Sequence, residues 1–204
     1  MRRYGVAALA LIVAGCAKQT ASGTTVPRGA PTPAGLVFVV RHAEKAPEPV
    51  NDPVLSAKGI ARAASLDSTL AAFTVSDVVV SQLQRTRLTA ANVITRSHAV
   101  VHVIPIGPGG VTPHIAAVAD TVRKLSHAGR GVVLVVGHSN TVTQIVEALG
   151  GGSAPALCDS QYSQLFALRD RADRTVELRR QRYGAPDPSD ATCAATAPGM
   201  MRTP

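Results

Sequence analysis

Three short runs of valine and leucine constrain this chain more than anything else in it. Leu36-Val37-Phe38-Val39-Val40, Val78-Val79-Val80 and Val132-Val133-Leu134-Val135-Val136 are apolar at every position. A strand with one wet face alternates, whereas a run without alternation belongs to a strand covered on both faces. The sequence predicts strands over 36–40, 77–81, 100–106, 131–137, 164–169 and 175–180. The last of these, Thr175-Val176-Glu177-Leu178-Arg179, does alternate, so it is expected at an edge or antiparallel. Helical patterns fill the intervals. Ser56 reads as an N-cap, with Ile60, Ala63, Ala64, Leu66, Leu70 and Phe73 behind it at helical spacing. A second helix is expected over 84–95. A third, over 113–127, carries Ile115, Val118, Val122 and Leu125 on one stripe. A fourth begins after Ser139, carries Val142, Ile145, Val146 and Leu149, and stops at Gly150-Gly151-Gly152. Strand and helix take turns, so the expected class is α/β: a three-layer sandwich, a mainly parallel central sheet with helices on both faces.

The 204 residues suffice for one domain. That domain is expected over 34–184. Before it, Arg2-Arg3 open a short apolar run, Val6 to Ala14, which is too short to span a bilayer. It closes on Val13-Ala14-Gly15-Cys16, small residues ahead of a cleavage point, as in a secretory signal. With Cys16 directly after them, the segment resembles the lipobox of bacterial lipoproteins. That resemblance implies a signal peptide over 1–15, a lipid on Cys16 and a flexible Ser/Thr/Gly/Pro-rich tether over 16–33. Ala17, in place of Asp, points by the same resemblance to the outer membrane, with the domain facing the periplasm. Residues 185–204 form a Pro/Ala-rich tail. In that compartment the remaining pair, Cys158 and Cys193, is a candidate disulfide.

A formal charge of +8 raises the question of nucleic acid. Aromatic residues make up only 3% of the chain and Trp is absent, so no stacking platform exists. The basic cluster Arg179-Arg180-Gln181-Arg182 reads as a solvated strand edge. No nucleic-acid partner is expected.

The chemistry is concentrated where the apolar runs end. The first ends in Arg41-His42-Ala43-Glu44-Lys45, the second leads through Ser81 to Gln84-Arg85-Thr86-Arg87, and the third ends in Gly137-His138-Ser139-Asn140-Thr141. In open α/β sheets ligands bind beyond the carboxyl ends of the strands. Guanidinium forks match phosphate oxygens, and a neutral imidazole is nucleophilic near neutral pH. Two Arg and two His hold and attack a phosphate with no metal and no cofactor. His98, His102 and His127 show no Cys or carboxylate partner in the sequence pattern, so they are not expected to bind metal. Of the turn-rich stretches, Asn51-Asp52-Pro53 is expected to border the pocket, and Gly107-Pro108-Gly109-Gly110 lies where a lid or substrate-contacting insert would be. The turn Gly137-His138-Ser139 is not a Gly-x-Ser-x-Gly nucleophile elbow, because the last position is Thr141.

These motifs, in this order, resemble the histidine phosphatase superfamily and its phosphoglycerate-mutase-like branch. Arg41-His42 follows a strand, Ser81-Gln-Leu-Gln-Arg85-Thr86-Arg-Leu-Thr89-Ala90 opens a helix, and Gly137-His138-Ser139 follows another strand. Leu55-Ser56-Ala-Lys-Gly59-Ile-Ala-Arg62-Ala63 matches the first helix. The resemblance implies His42 as the nucleophile that becomes phosphohistidine, Arg41 and Arg85 as phosphate ligands, and His138 as a further contact to the transferring group. The implied partner is a phosphorylated small molecule or a phosphoprotein. The general acid departs from the pattern. Between Arg85 and His138 lies one acid, Asp120, in mid-helix, and Ser139-Asn140 follow His138. Glu44 and His114 are the two candidates for that role. The alternative reading is a non-catalytic envelope lipoprotein that binds a phosphorylated ligand through the same residues.

Overall fold

The computed structural model describes residues 35–127, 131–171, 173 and 175–189. The signal peptide, Cys16, the tether, Cys193 and the tail beyond 189 lie outside them. The elements are β1 (Leu36–Arg41), α1 (Ala57–Thr69), β2 (Val75–Val80), α2 (Gln84–Ser97), β3 (Val100–Val103), α3 (Val111–His127), β4 (Val132–Gly137), α4 (Val142–Ala148), β5 (Gln164–Asp170) and β6 (Val176–Arg182).

One six-stranded sheet runs in the order β3-β2-β4-β1-β5-β6. The pairs β2–β3, β2–β4 and β1–β4 are parallel, and β1–β5 and β5–β6 are antiparallel. The alternating segment is therefore the antiparallel edge strand, as expected. Every residue of β1 and β4 is buried, which is why neither can carry a polar alternation. Leu36, Phe38, Val40, Leu134 and Val136 face α1 and α2, joined by Leu66, Ala90 and Val93. Val37, Val39, Val133 and Val135 face the other way, onto Val118 and Val122 of α3 and Val142, Ile145 and Val146 of α4. The sheet lies between two helical layers, and burying both faces supplies most of the drive to fold.

The buried stripe of α1 is Gly59, Arg62, Ala63 and Leu66, displaced from the expected one. Ile60 is 62% exposed. A charged residue takes the inward position because Arg62 has a carboxylate to meet there. Gly59 is glycine for a steric reason: a Cβ would overlap the carbonyl oxygen of Glu44. Ser56 caps α1 as expected, accepting from Gly59 N–H at 3.2 Å. β3 stops at Val103, short of residue 106. The chain leaves the sheet there and brings Ile106 toward the carboxyl ends of β4 and β1.

Candidate active site

The register of the three central strands builds the site. Val40 pairs with Val136, and Val136 with Val80, so β1, β4 and β2 end level with one another. The next residues outward are Arg41, Gly137 and Ser81. One step further, His42 N–H donates to Gly137 O at 2.9 Å. His42 and His138 emerge side by side with ring centroids 5.3 Å apart. Both are almost fully buried, at 4% and 6% exposure.

A cavity of about 630 Å³ opens over them, lined by Arg41, His42, Lys45, Arg85 and His138, with Ser139, Asn140, Asp159 and Tyr162 at its edge and Ile106 and Val111 opposite. The structure thus brings together the four residues that sequence reasoning put in one pocket. The Gly107–Gly110 turn sits between two of the lining residues.

His42 has a defined tautomer. Its Nδ1 lies 2.8 Å from the carbonyl oxygen of Ala43. A carbonyl only accepts, so Nδ1 carries the hydrogen and Nε2 carries the lone pair. The segment is fixed from below: Ala43 N–H donates to Thr89 Oγ1 at 2.8 Å, and Thr89 Oγ1–H donates to Arg85 O at 2.8 Å. Burial pushes the His42 pKa down to about 3. The Ala43 carbonyl opposes that shift, and the charges of His138, Arg41 and Arg85 reinforce it. His138 falls to about 4, again by burial first and then by Arg85, His114 and Arg41. Both imidazoles are neutral at neutral pH. His138 Nε2 lies 3.0 Å from Ser81 Oγ, so the end of β2 orients the ring at the end of β4.

The two arginines differ. Arg41 is clamped. Its Nη1 donates to the carbonyls of Cys158, Asp159 and Gln161 at 2.8, 2.9 and 3.1 Å. Its guanidinium carbon stands 4.1 Å over the ring of Tyr162. Arg85 is held less tightly, with Asp52 at 3.9 Å its ion-pair partner. Burial lowers both pKa values from the ordinary guanidinium range, yet both stay charged. The buried Nε–H groups of Arg41 and Arg85 have no acceptor among the described residues. Buried unpaired donors are costly.

The general-acid candidates fare differently from the histidines. Glu44 is turned away from the cavity. Arg62 grips it through Nε at 2.9 and 3.0 Å and through Nη2 at 2.8 Å. The same arginine donates to the carbonyls of Tyr183 and Ala185. Glu44 therefore ties β1 to α1 and to the segment after β6, and it is not brought to the reacting groups. His114 is buried on α3, close enough to His138 to depress its pKa, but it does not line the cavity. Burial also lowers the pKa of His114, against carbonyl contacts from Pro105 and Ile104.

Sequence reasoning missed Ser81's bond to His138, the Tyr162 stack and the loop 158–161. Cys158 in that loop is disulfide-bonded; the expected partner, Cys193, falls outside the described residues. His102 does have a carboxylate partner, contrary to expectation: its Nε2 is 2.8 Å from Oδ1 of Asp77. This pair joins β2 to β3. Among the described residues no group of three His, Cys, Asp or Glu could hold a metal ion, and no helix is long and apolar enough to cross a membrane.

Fold and site together define an α/β protein with paired histidines and paired arginines at the carboxyl ends of parallel strands. Residues 37–105 match the family model described as the histidine phosphatase superfamily (branch 1). That segment contains Arg41, His42 and Arg85 and ends before His138. The fold is similar to the protein histidine phosphatase SixA in complex with tungstate, at 20% identity and a TM-score of 0.58, covering 72% of this chain and 96% of that one. It is similar to the α-ribazole phosphatase of Shigella flexneri, at 17% identity and a TM-score of 0.54, covering 74% and 100%. A protein assigned as the phosphohistidine phosphatase SixA of Nakamurella multipartitia is 26% identical, with a TM-score of 0.50 and coverage of 75% and 99%. No curated protein sequence matches the chain.

Proposed function

We propose that this chain is a phosphomonoesterase of the histidine phosphatase superfamily, acting through a covalent phosphohistidine on His42. The observation that carries the reading is the His42 tautomer. Its Nδ1–H is committed to Ala43 O, which leaves a nucleophilic lone pair on Nε2 of a residue lining a cationic cavity.

In the first step Nε2 attacks phosphorus, an N–P bond forms, and the P–O bond to the leaving group breaks. In the second, water attacks phosphorus, the N–P electrons return to Nε2, and inorganic phosphate leaves. Splitting the hydrolysis in two is the gain from a covalent route. Arg85, Arg41 and His138 stabilise charge on the equatorial oxygens, and catalysis rests on positioning and electrostatics. The substrate is a phosphorylated small molecule or a phosphoprotein. The related folds carry names with different substrates, which fits a scaffold whose specificity lies in the cavity rim.

A phosphoramidate is acid-labile and stable to alkali. Rapid mixing with a radiolabelled phosphomonoester followed by an alkaline quench should leave label on a peptide containing His42, and none on His42→Ala. Label that survives acid, or that maps elsewhere, overturns the covalent route.

We place the lipid anchor on Cys16 and the domain at the outer membrane, facing the periplasm, on the strength of the lipobox-like Val13-Ala14-Gly15-Cys16. Mass spectrometry of the mature N-terminal peptide should find a diacylglyceryl cysteine, and Cys16→Ser should move the protein from membrane to soluble fractions. An unmodified Cys16 in the membrane fraction contradicts the anchor.

A further inference from the structure

With Glu44 committed to Arg62, the proposed phosphatase needs a proton donor for the leaving oxygen. We infer that Asp159 is that donor: it protonates the leaving group in the first step and takes the proton of the attacking water in the second. The inference rests on the phosphatase reading above.

Placement carries the argument. Among the described residues Asp159 is the one carboxylate lining the cavity that holds His42 and His138. The neighbouring acids are engaged elsewhere. Asp52 accepts from Gln84 N–H at 3.0 Å and faces Arg85, and Asp120 lies on α3 against Arg123 at 2.8 Å. Asp159 makes three polar contacts, two to Arg41 and one to Ser139. Its own carbonyl accepts from Arg41 Nη1 at 2.9 Å. Its Oδ1 lies 3.3 Å from the Ser139 hydroxyl and 3.5 Å from Arg41 Nη2. Oδ2 has no partner among the described residues, and the side chain is 97% exposed at the cavity edge. The backbone is thus clamped to the same arginine that flanks the nucleophile, while one carboxyl oxygen stays accessible. Ser139 directly follows His138, so its contact with Oδ1 sets the carboxyl beside the turn that carries the second histidine.

The chemistry balances. The His42 Nε2 lone pair forms the N–P bond, the ester P–O bond breaks, and the Asp159 carboxylic acid gives its proton to the departing oxygen. The carboxylate left behind takes a proton from water as the water oxygen bonds phosphorus and the N–P bond breaks. Asp159 and His42 are both restored.

The test is the dependence on leaving group, read as kcat/KM, which stops at the first irreversible step and so isolates proton donation. Asp159→Asn is compared with the unaltered protein on p-nitrophenyl phosphate, whose phenolate needs little help, and on an alkyl phosphate, whose alkoxide needs a proton. For the acid role, kcat/KM should fall roughly 100-fold or more on the alkyl ester and only a few-fold on the aryl ester. An equal loss on both substrates, or no loss on either, overturns the assignment. Asp159→Glu should restore part of the alkyl-ester rate. The phosphatase reading fails separately: it falls when His42→Ala turns over either ester as fast as the unaltered protein does.

Discussion

His42→Ala should lower turnover of p-nitrophenyl phosphate by at least about 1,000-fold while leaving affinity for inorganic phosphate within a few-fold. The asymmetry follows from the geometry. His42 supplies the lone pair that makes the N–P bond, and among the described residues the other neutral imidazole lining the cavity is His138, whose Nε2 is bonded to Ser81. Arg85, Arg41, Lys45 and His138 remain in the variant, and they hold an oxyanion whether or not it reacts. Direct attack by water on phosphorus would then be the remaining route, helped by electrostatics alone. The substitution leaves the Ala43 carbonyl without its imidazole donor, at a cost of about 1 kcal/mol, so thermal melting should show a folded variant. A steady-state assay with a phosphate titration separates the outcomes. Turnover equal in both proteins removes His42 from the mechanism, and phosphate binding with no turnover in either protein favours the reading as a non-catalytic binder of a phosphorylated ligand.

The core was legible because its chemistry is local. Strands buried on both faces must be apolar at every position, and β1 and β4 announce themselves in that way. Arg41, His42, Arg85 and His138 were legible because each sits at or just past the end of an apolar run, and α/β topology sends those ends to one place. The proton donor proposed above was not legible. Glu44 lies two residues past His42 in the chain, yet the segment turns and delivers it to Arg62. A signal for this existed: Arg62 occupies the inward stripe of α1 beside Ala63 and Leu66, and an arginine in that position calls for a carboxylate. Asp159 and Tyr162 carry no comparable signal. They belong to an irregular stretch between α4 and β5, which the carbonyl clamp of Arg41 and the bonds of Tyr162 N–H and Ser163 N–H to Asp187 hold beside the histidines.

Acid should destabilise this fold unusually steeply, and His42 and His138 should account for a large share of the effect. An ordinary imidazole titrates near pH 6.5. In the folded protein burial and the adjacent arginines hold His42 to about 3 and His138 to about 4. Above about pH 6.5 both rings are neutral folded or unfolded, and their contribution to stability is fully present. As pH falls below that value the unfolded chain takes up protons that the folded chain refuses, so stability is lost down to the folded pKa values. At 1.36 kcal/mol per pH unit per proton, each ring loses on the order of 3 kcal/mol by about pH 4. The pair together approaches the whole stability of a typical domain. Urea unfolding of the unaltered protein beside His42→Gln and His138→Gln, between about pH 7 and pH 4, reads the effect directly. Each variant should flatten the slope by up to one proton, after subtraction of the acid loss from carboxylates common to all three. The kinetic counterpart has the opposite sense: log kcat/KM should show no limb at pH 6.5, because the folded nucleophile is still unprotonated there. A slope unchanged in both variants, or a kinetic limb at 6.5 that disappears with His138→Gln, means that the rings titrate as exposed histidines do and that the cavity is wetter than its geometry implies.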